Sequence, residues 1–263
     1  MTGFLMAWTK TYTEPEPQRV NRWLAQSGVC SRREAEALIA AGRVTIDGET
    51  VSDAGRKIAP GQTLTLADAG KPDHDNSLSV VFYKPVGIVS SQPEGEQVPA
   101  VRLLTREALM GSSPIIPGHN TKLAPLGRLD MDSRGLLILS ADGVLAKALI
   151  GPESQLDKEY LVRVAGDVTE GVLNKLRHGL SLDGRQLKPA KVEVMRGKEL
   201  QFILNEGRNR QIRRMCELVG LSVKDLFRVR IGPLRLGGLQ EGKWRVLKPE
   251  ERAALIAASK ASP

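Results

Sequence analysis

Between Gly127 and Gly143 the chain changes character within a few residues. Gly127-Arg128-Leu129-Asp130-Met131-Asp132-Ser133-Arg134 is polar and holds two carboxylates; Gly135-Leu136-Leu137-Ile138-Leu139-Ser140 follows without a charge. A short, uncharged apolar run bounded by turn residues reads as a buried strand. A buried strand holds the loop ahead of it on a rigid base, where reactive groups tend to sit. The residue types alone leave three readings of the loop: a structural turn, a paired Asp130/Asp132 magnesium site, and a catalytic carboxylate. A calcium loop of EF-hand type is excluded, because Ala141 stands where its twelfth-position acid is required. Asp142-Gly143 reads as the cap of the next helix.

The surrounding pattern divides the chain. Residues 1–18 carry Pro15 and Pro17 without periodicity and read as a mobile tail. Val20, Trp23 and Leu24 have helical spacing, closed by Gly28. Ser31-Arg32-Arg33-Glu34 is a capping box opening a second helix with Ala35, Leu38 and Ile39 on one stripe, ended by Gly42. Val44–Ile46, Asp47-Gly48 and Thr50-Val51 read as strand, tight turn and strand, and Ile58, Leu64 and Leu66 continue the sheet. Residues 19–66 thus form a small helix-helix-strand module, 67–79 a polar linker, and 80–263 a second domain. In that domain a short helix is expected near Val101–Leu109. Strands are expected at Gly135–Ser140, Tyr160–Val164, Ala190–Val194, Leu200–Leu204, Phe227–Ile231 and Trp244–Leu247. Helices are expected at Gly143–Ile150, Glu170–Gly179, Arg210–Val219 and Pro249–Ser259. Strands with interspersed helices and no regular βαβ beat indicate an α+β fold with a mainly antiparallel sheet.

Charge is concentrated. The chain of 263 residues carries 38 basic and 30 acidic residues, a net +8. Between Asn205 and Lys248 eleven basic residues face four acids, so +7 of the +8 lies in one sixth of the sequence. The bland reading is a solvated basic face; the sharper one is a phosphate-binding surface, since guanidinium forks suit phosphate oxygens. Within that segment Asn209 can cap a helix with Ile212, Met215, Cys216 and Val219 as its buried stripe. Arg210, Arg213 and Arg214 then crowd together and call for anions, with Asp130 and an external phosphate as natural partners. Arg32, Arg33 and Arg43 form a second basic group in the small module.

Other chemistries are unsupported. Gly237–Lys243 imitates a phosphate-binding loop, but Trp244 stands where Ser or Thr must hold magnesium. No Gly-x-Gly-x-x-Gly follows a strand. His74, His119 and His178 have no ligand spacing, and Cys30 and Cys216 are too few for a zinc site or a disulfide framework. No apolar run approaches the roughly 20 residues of a membrane span. No secretory pattern opens the chain. The expectation is a cytoplasmic protein without a membrane partner and without a metal site built from His or Cys.

Gly127-Arg128-Leu129-Asp130 with Ser133, Gly135-Leu136-Leu137 and Asp142-Gly143, then Lys158-Glu159-Tyr160, then Asn209-Arg210-Gln211-Ile212-Arg213-Arg214-Met215, resemble the three ordered motifs of the RsuA/RluB/RluE/RluF family of ribosomal RNA pseudouridine synthases. The combination of Cys30-Ser31-Arg32-Arg33-Glu34-Ala35 with the last motif looks most like the RluF branch. Residues 19–66 resemble the S4-like RNA-binding module. Ser140 departs from the Thr of many members.

The resemblance implies a pseudouridine synthase fold and conversion of uridine to pseudouridine in ribosomal RNA, 23S rRNA above all, with a tRNA as a second substrate. It implies a monomer and no cofactor. It casts Asp130 as nucleophile, Tyr160 as the ring stacked on the target base, Arg213 as the partner of Asp130, Ile212 as the apolar contact to the base, and Arg128 as an aid to base displacement. Arg32, Arg33, Arg43, Arg208, Arg210 and Arg214 become RNA contacts. The competing reading is a non-catalytic RNA-binding or ribosome-assembly factor on the same scaffold.

Overall fold

A computed structural model of the chain describes residues 8–27, 29–30, 32–67, 78–118, 121 and 123–259, with the side chain of Arg33 outside that set. Two compact units emerge, one led by Met1–Ser77 and the other formed by Leu78–Ala141 and Leu145–Pro263.

The first unit begins earlier than its sequence pattern indicates. Trp8–Thr11 is a strand (β1), and Gln18–Arg19 is a short second one (β2). Tyr12 is buried and meets Trp23 edge to face at 5.3 Å, and Trp8 lies 5.9 Å from Trp23. The expected tail over 1–18 is thereby corrected for residues 8–18; residues 1–7 lie outside the described set. Large rings bury enough apolar area to order a short segment, a contribution of about 1.5–3 kcal/mol each. Helices Val20–Gln26 (α1) and Arg32–Ala40 (α2) follow. Gly28 and Ser31, read as stop and cap, lie outside the described residues. Gly42, at φ +66°, ends α2 while Arg43 N–H donates to the Leu38 carbonyl at 3.0 Å. Val44–Ile46 (β3) turns through Asp47 and Gly48, both at positive φ, into Glu49–Thr50 (β4). Lys57–Ile58 (β5) pairs with β2 apart from the main sheet, whose order is β1, Thr63–Leu66 (β6), β3, β4.

The second unit carries a nine-stranded sheet. Its elements begin with Ser79–Lys84 (β7), Ala124–Pro125 (β8), Arg134–Ser140 (β9), helix Gly143–Ile150 (α3), Lys158–Ala165 (β10) and helix Glu170–Arg177 (α4). A hairpin of Ser181–Leu182 (β11) and Arg185–Gln186 (β12) leads into Lys191–Arg196 (β13) and Glu199–Leu204 (β14). Helix Gln211–Leu218 (α5), Ser222–Ile231 (β15), Leu234–Arg235 (β16), Trp244–Val246 (β17) and helix Pro249–Ala258 (α6) complete it. The expected helix near Val101–Leu109 is only a short 3-10 turn over Ala100–Leu103. The turn stops at Leu104, whose ψ of +58° leaves the helical region, and the following residues bond to β17 instead, with Met110 N–H donating to the Trp244 carbonyl and Trp244 N–H to that of Ala108. Leu78 and Ser79 belong to the sheet unit, not to a linker; Ser79 pairs with Ser140, and residues 68–77 lie outside the described set.

The main path of the sheet runs β13-β14-β10-β15-β9-β7-β17. Each neighbouring pair on it is antiparallel except β15 with β9, which meet in parallel at Phe227↔Arg134 and Arg228↔Gly135. Both faces of β9 are covered, which explains its uninterrupted apolar run. Leu136 and Ile138 pack with α3 and α6 residues such as Leu145 and Leu255, while Leu137 and Leu139 pack on the other side with Phe82, Leu104 and Trp244. The β13–β15 half has its own core around Val162, Leu200, Phe202, Ile212 and Met215.

One irregularity positions the site. β10 and β15 slip register between Glu159 and Tyr160, so that Glu159 faces Arg230 and Tyr160 faces Arg228. The extra residue, Val229, is a β-bulge. Without it Arg228 and Arg230 would point to one face. With it, Arg230 turns to the far face, donating to Glu159 at 2.6 Å and to both oxygens of Asp157 at 2.8 Å, while Arg228 turns to the near face.

Candidate active site

A cleft of about 990 Å³ opens in the second unit where the 127–133 loop, β10, β15 and the start of α5 meet. Arg128, Asp130, Tyr160, Ile212 and Arg213, which belong to the three separate sequence segments, all line it.

The loop carrying Asp130 is held by its main chain. Five consecutive carbonyls, 128 to 132, each accept a hydrogen bond: from Arg228 Nη1 (3.3 Å), Ser90 Oγ (2.7 Å), Ser133 N (3.1 Å), Gly87 N (2.8 Å) and Arg213 Nη2 (2.8 Å). Leu129 N–H also donates to Ser90 Oγ at 2.9 Å. A loop fixed by five donors presents its carboxylate without reorganising, as catalysis by positioning requires. Of these donors, Gly87 and Ser90 carry no sequence signal for this role.

Lys84 supports the same arrangement from below. It is fully buried at the end of β7, and its ammonium donates to the Pro85 and Ile88 carbonyls at 2.8 and 2.7 Å. This shapes the turn whose Gly87 N–H reaches Met131. Burial pushes the Lys84 ammonium down to about 8, against the opposing pull of Asp130 and Asp132.

The arginines are arranged differently from expectation. Arg213 does not pair with Asp130: its Nη2 holds the Asp132 carbonyl, lies 3.1 Å from Ser133 Oγ and 3.2 Å from the Asp132 carboxylate. Arg210 is the cation beside Asp130, at 3.6 Å, and it also grips Asp132 at 3.0 Å. Burial works against the charge of Asp132, but the hydrogen bond from Arg210 and the charges of Arg213 and Arg210 outweigh it and hold the carboxyl below its ordinary value. Arg210 itself is the N-cap of α5, at φ +49°. Asn209 therefore does not cap the helix as expected; the Gln211 side chain accepts from Arg208 N–H at 2.9 Å instead.

Two further arginines expected on phosphate are engaged inside the protein. Arg208 donates to the carbonyls of Leu182 (3.0 Å), Arg185 (3.1 Å) and Gln186 (2.8 Å), and Arg214 forms a two-pronged pair with Asp183. Together they pin the β11–β12 hairpin to α5. The charge of the 205–248 segment is thus answered by acids far away in sequence: Asp130, Asp132, Asp157, Glu159 and Asp183. A local charge count cannot register such pairs. Arg128, by contrast, is exposed at the cleft and makes no side-chain hydrogen bond or ion pair among the described residues. In the first unit Arg32 and Arg43 are exposed. Among the described residues no group of three His, Cys, Asp or Glu side chains is placed to hold a metal, and no helix is long and apolar enough to cross a membrane.

Comparison with known proteins gives this geometry its context. The family model for RNA pseudouridylate synthase matches residues 79–218, and the S4 domain model matches residues 18–64. The chain is 34% identical over 247 residues to an uncharacterized RNA pseudouridine synthase of Aquifex aeolicus, covering 91% of this chain and 94% of that protein. It is 34% identical to the dual-specificity RNA pseudouridine synthase RluF of Escherichia coli (strain K12), over 89% of this chain and 76% of the relative. It is 33% identical to the ribosomal large subunit pseudouridine synthase B of Bacillus subtilis (strain 168), over 89% and 93%. A crystal structure of a pseudouridylate synthase superposes with a TM-score of 0.61 at 25% identity, covering 90% of this chain and 99% of the other.

Proposed function

The chain belongs to the RNA pseudouridylate synthase family, and from that premise we propose that it converts uridine in large-subunit ribosomal RNA to pseudouridine in the cleft around Asp130. The observation that carries this reading is the meeting of a fixed carboxylate, a phenol ring and an apolar side chain in one cavity large enough for an extruded nucleotide.

In this reading the target uridine leaves its stack and enters the cleft, because its reacting atoms are inaccessible within one. Tyr160 and Ile212 receive the two faces of the base. Asp130 acts as nucleophile, with the Arg210 guanidinium 3.6 Å from its carboxylate. Arg213 acts by holding the loop main chain. Arg128 assists displacement of the base from the exposed rim. The S4 domain, with Arg32, Arg33 and Arg43, holds flanking RNA through its phosphates. A relative named for the ribosomal large subunit supports ribosomal RNA as substrate; in this reading the ribosomal RNA is 23S and a tRNA is a second substrate. The enzyme acts as a monomer in the cytoplasm, where these RNAs mature.

The test is conversion of uridine to pseudouridine in rRNA, mapped in cells with and without the protein and repeated in vitro. The Asp130→Asn variant should bind RNA and form no product; full turnover by that variant would overturn the assignment of the nucleophile.

A further inference from the structure

Among the described residues, two cations at the cleft have no acid paired to them. Arg228 is 4% exposed and lines the cleft. Its Nε donates to the Leu136 carbonyl at 2.8 Å and its Nη1 to the Arg128 carbonyl at 3.3 Å, yet its buried Nη2 has no partner. Lys158 also lines the cleft, and its ammonium has no hydrogen bond or ion pair among the described residues. Its nearest acid in sequence, Asp157, is already held by both Nη atoms of Arg230. Burial and the charge of Arg228 push the Lys158 ammonium down. Two neighbouring cations, one with an orphaned donor, are costly to fold. Such an arrangement is expected where an anion arrives later.

Register shows where that anion would sit. Lys158 and Tyr160 are two residues apart on β10 and share a face, and Tyr160 lies directly across from Arg228. The three side chains therefore face the same ligand, and the ring assigned to the base lies between the two cations in the strand register. A phosphodiester stays with the strand and the ribose at the cleft mouth, whereas the base is the part that reaches a group as buried as Arg228.

We infer that Lys158 and Arg228 form a subsite for the carbonyl oxygens of the extruded uracil and stabilise the anion it becomes when it detaches from ribose. This rests on the function proposed above. When the bond between C1′ and N1 breaks, its electron pair departs with N1, and the charge spreads over N1, O2 and O4. C1′ is satisfied by the Asp130 carboxylate or by loss of the C2′ proton. On return, C5 attacks C1′, that earlier change is reversed, the C5 proton goes to solvent and N1 takes a proton from solvent. The uracil is anionic only between these events, so groups that favour the anion lower the barrier rather than tighten substrate binding.

The experiment compares wild type, Lys158→Met and Lys158→Arg on substrate RNA and on the same RNA carrying 5-fluorouridine at the target. Single-turnover cleavage of the C1′–N1 bond, RNA affinity across a salt series and thermal melting are measured. Lys158→Met should react about 100-fold more slowly on uridine, with unchanged affinity and salt slope and undiminished melting temperature. Its penalty should be smaller on 5-fluorouridine, whose base is already a better leaving anion. Lys158→Arg should recover most of the rate. Equal penalties on both RNAs, an unaffected rate, or a loss confined to affinity with a shallower salt slope (the mark of a phosphate contact) would each overturn the subsite. A Lys158→Met protein that melts lower and stays slow even as Lys158→Arg, which keeps the charge, would mark a structural lysine and overturn it too. Wild-type protein that forms no pseudouridine overturns the parent reading and the subsite with it, whereas normal wild-type turnover beside an unaffected Lys158→Met overturns the subsite alone.

Discussion

Arg213 holds the main-chain carbonyl of Asp132 at 2.8 Å rather than the carboxylate of Asp130, across 81 positions of sequence. The guanidinium supports the loop that carries Asp130, and the charge beside Asp130 comes from Arg210, one turn earlier.

That division of labour separates two variants. Arg213 has a side chain only 10% exposed, so Arg213→Ala leaves the Asp132 carbonyl and Ser133 hydroxyl without their donor and should cost about 3 kcal/mol. Arg210 is 43% exposed, so Arg210→Ala should cost under about 1 kcal/mol while slowing turnover. Urea melts and single-turnover rates on both proteins check this; equal stability losses would contradict it.

Gly135 should tolerate no side chain. It sits at φ +119°, and a Cβ there would stand 2.3 Å from the Arg228 carbonyl oxygen and 2.7 Å from its nitrogen. Both obstacles are backbone, so Gly135→Ala should lose about 3 kcal/mol or more. Denaturation midpoints decide it; a loss below about 1 kcal/mol would show that β9 and β15 can separate freely.

Acid should weaken the second unit through Glu159. Burial raises this carboxyl, but hydrogen bonds from Arg230 and Gln201 and the charge of Arg230 bring it below the ordinary 4.5. A carboxyl depressed on folding adds stability above its unfolded value and loses it as pH falls through the folded one. Stability should therefore decline below pH 4.5, and Glu159→Gln should show a shallower decline from a starting point about 3 kcal/mol lower. Denaturant melts between pH 3 and pH 7, roughly the span over which carboxyls titrate, test both statements.

The β11–β12 hairpin should loosen when Arg208 is removed. Arg208→Ala deletes the three hydrogen bonds to the hairpin carbonyls. Faster amide exchange across Ser181–Gln186 with an unchanged salt slope for RNA binding is expected. A salt slope reduced by about one would return Arg208 to the phosphate-binding set.

Much of the second unit was legible because its signals are local. The run Leu136–Leu139 announces a strand covered on both faces, and Ile212, Met215 and Cys216 mark the inner stripe of α5. The resemblance of the three motifs to the pseudouridine synthase family implies a shared site for Asp130, Tyr160 and Arg213, and all three line the cleft. What escaped was non-local. Strand β1 depends on Trp8 and Tyr12 meeting Trp23, and a two-proline segment concealed it. The bulge at Val229 has no residue signature, yet it decides that Arg228 enters the cleft and Arg230 does not. The basic segment looked unpaired because its acids lie elsewhere in the chain, as Asp183 does for Arg214.

The lone parallel contact in the main path of the sheet divides the chemistry between two bodies. Asp130 rides on the half built from β7, β9 and β17; Tyr160, Arg213 and Arg228 ride on the half built from β10, β13, β14 and β15. The distance from acid to phenol is therefore set by how those halves are joined: by two residues of register, by the Arg134–Asp225 pair at 2.7 Å, and by the bonds of Arg213 and Arg228 to the carbonyls of Asp132, Arg128 and Leu136. Sliding one half by a fraction of an ångström would disable turnover with every cleft side chain intact. Heat should silence the enzyme before it melts it, and substitutions behind the cleft along this joint should mimic damage to the cleft itself.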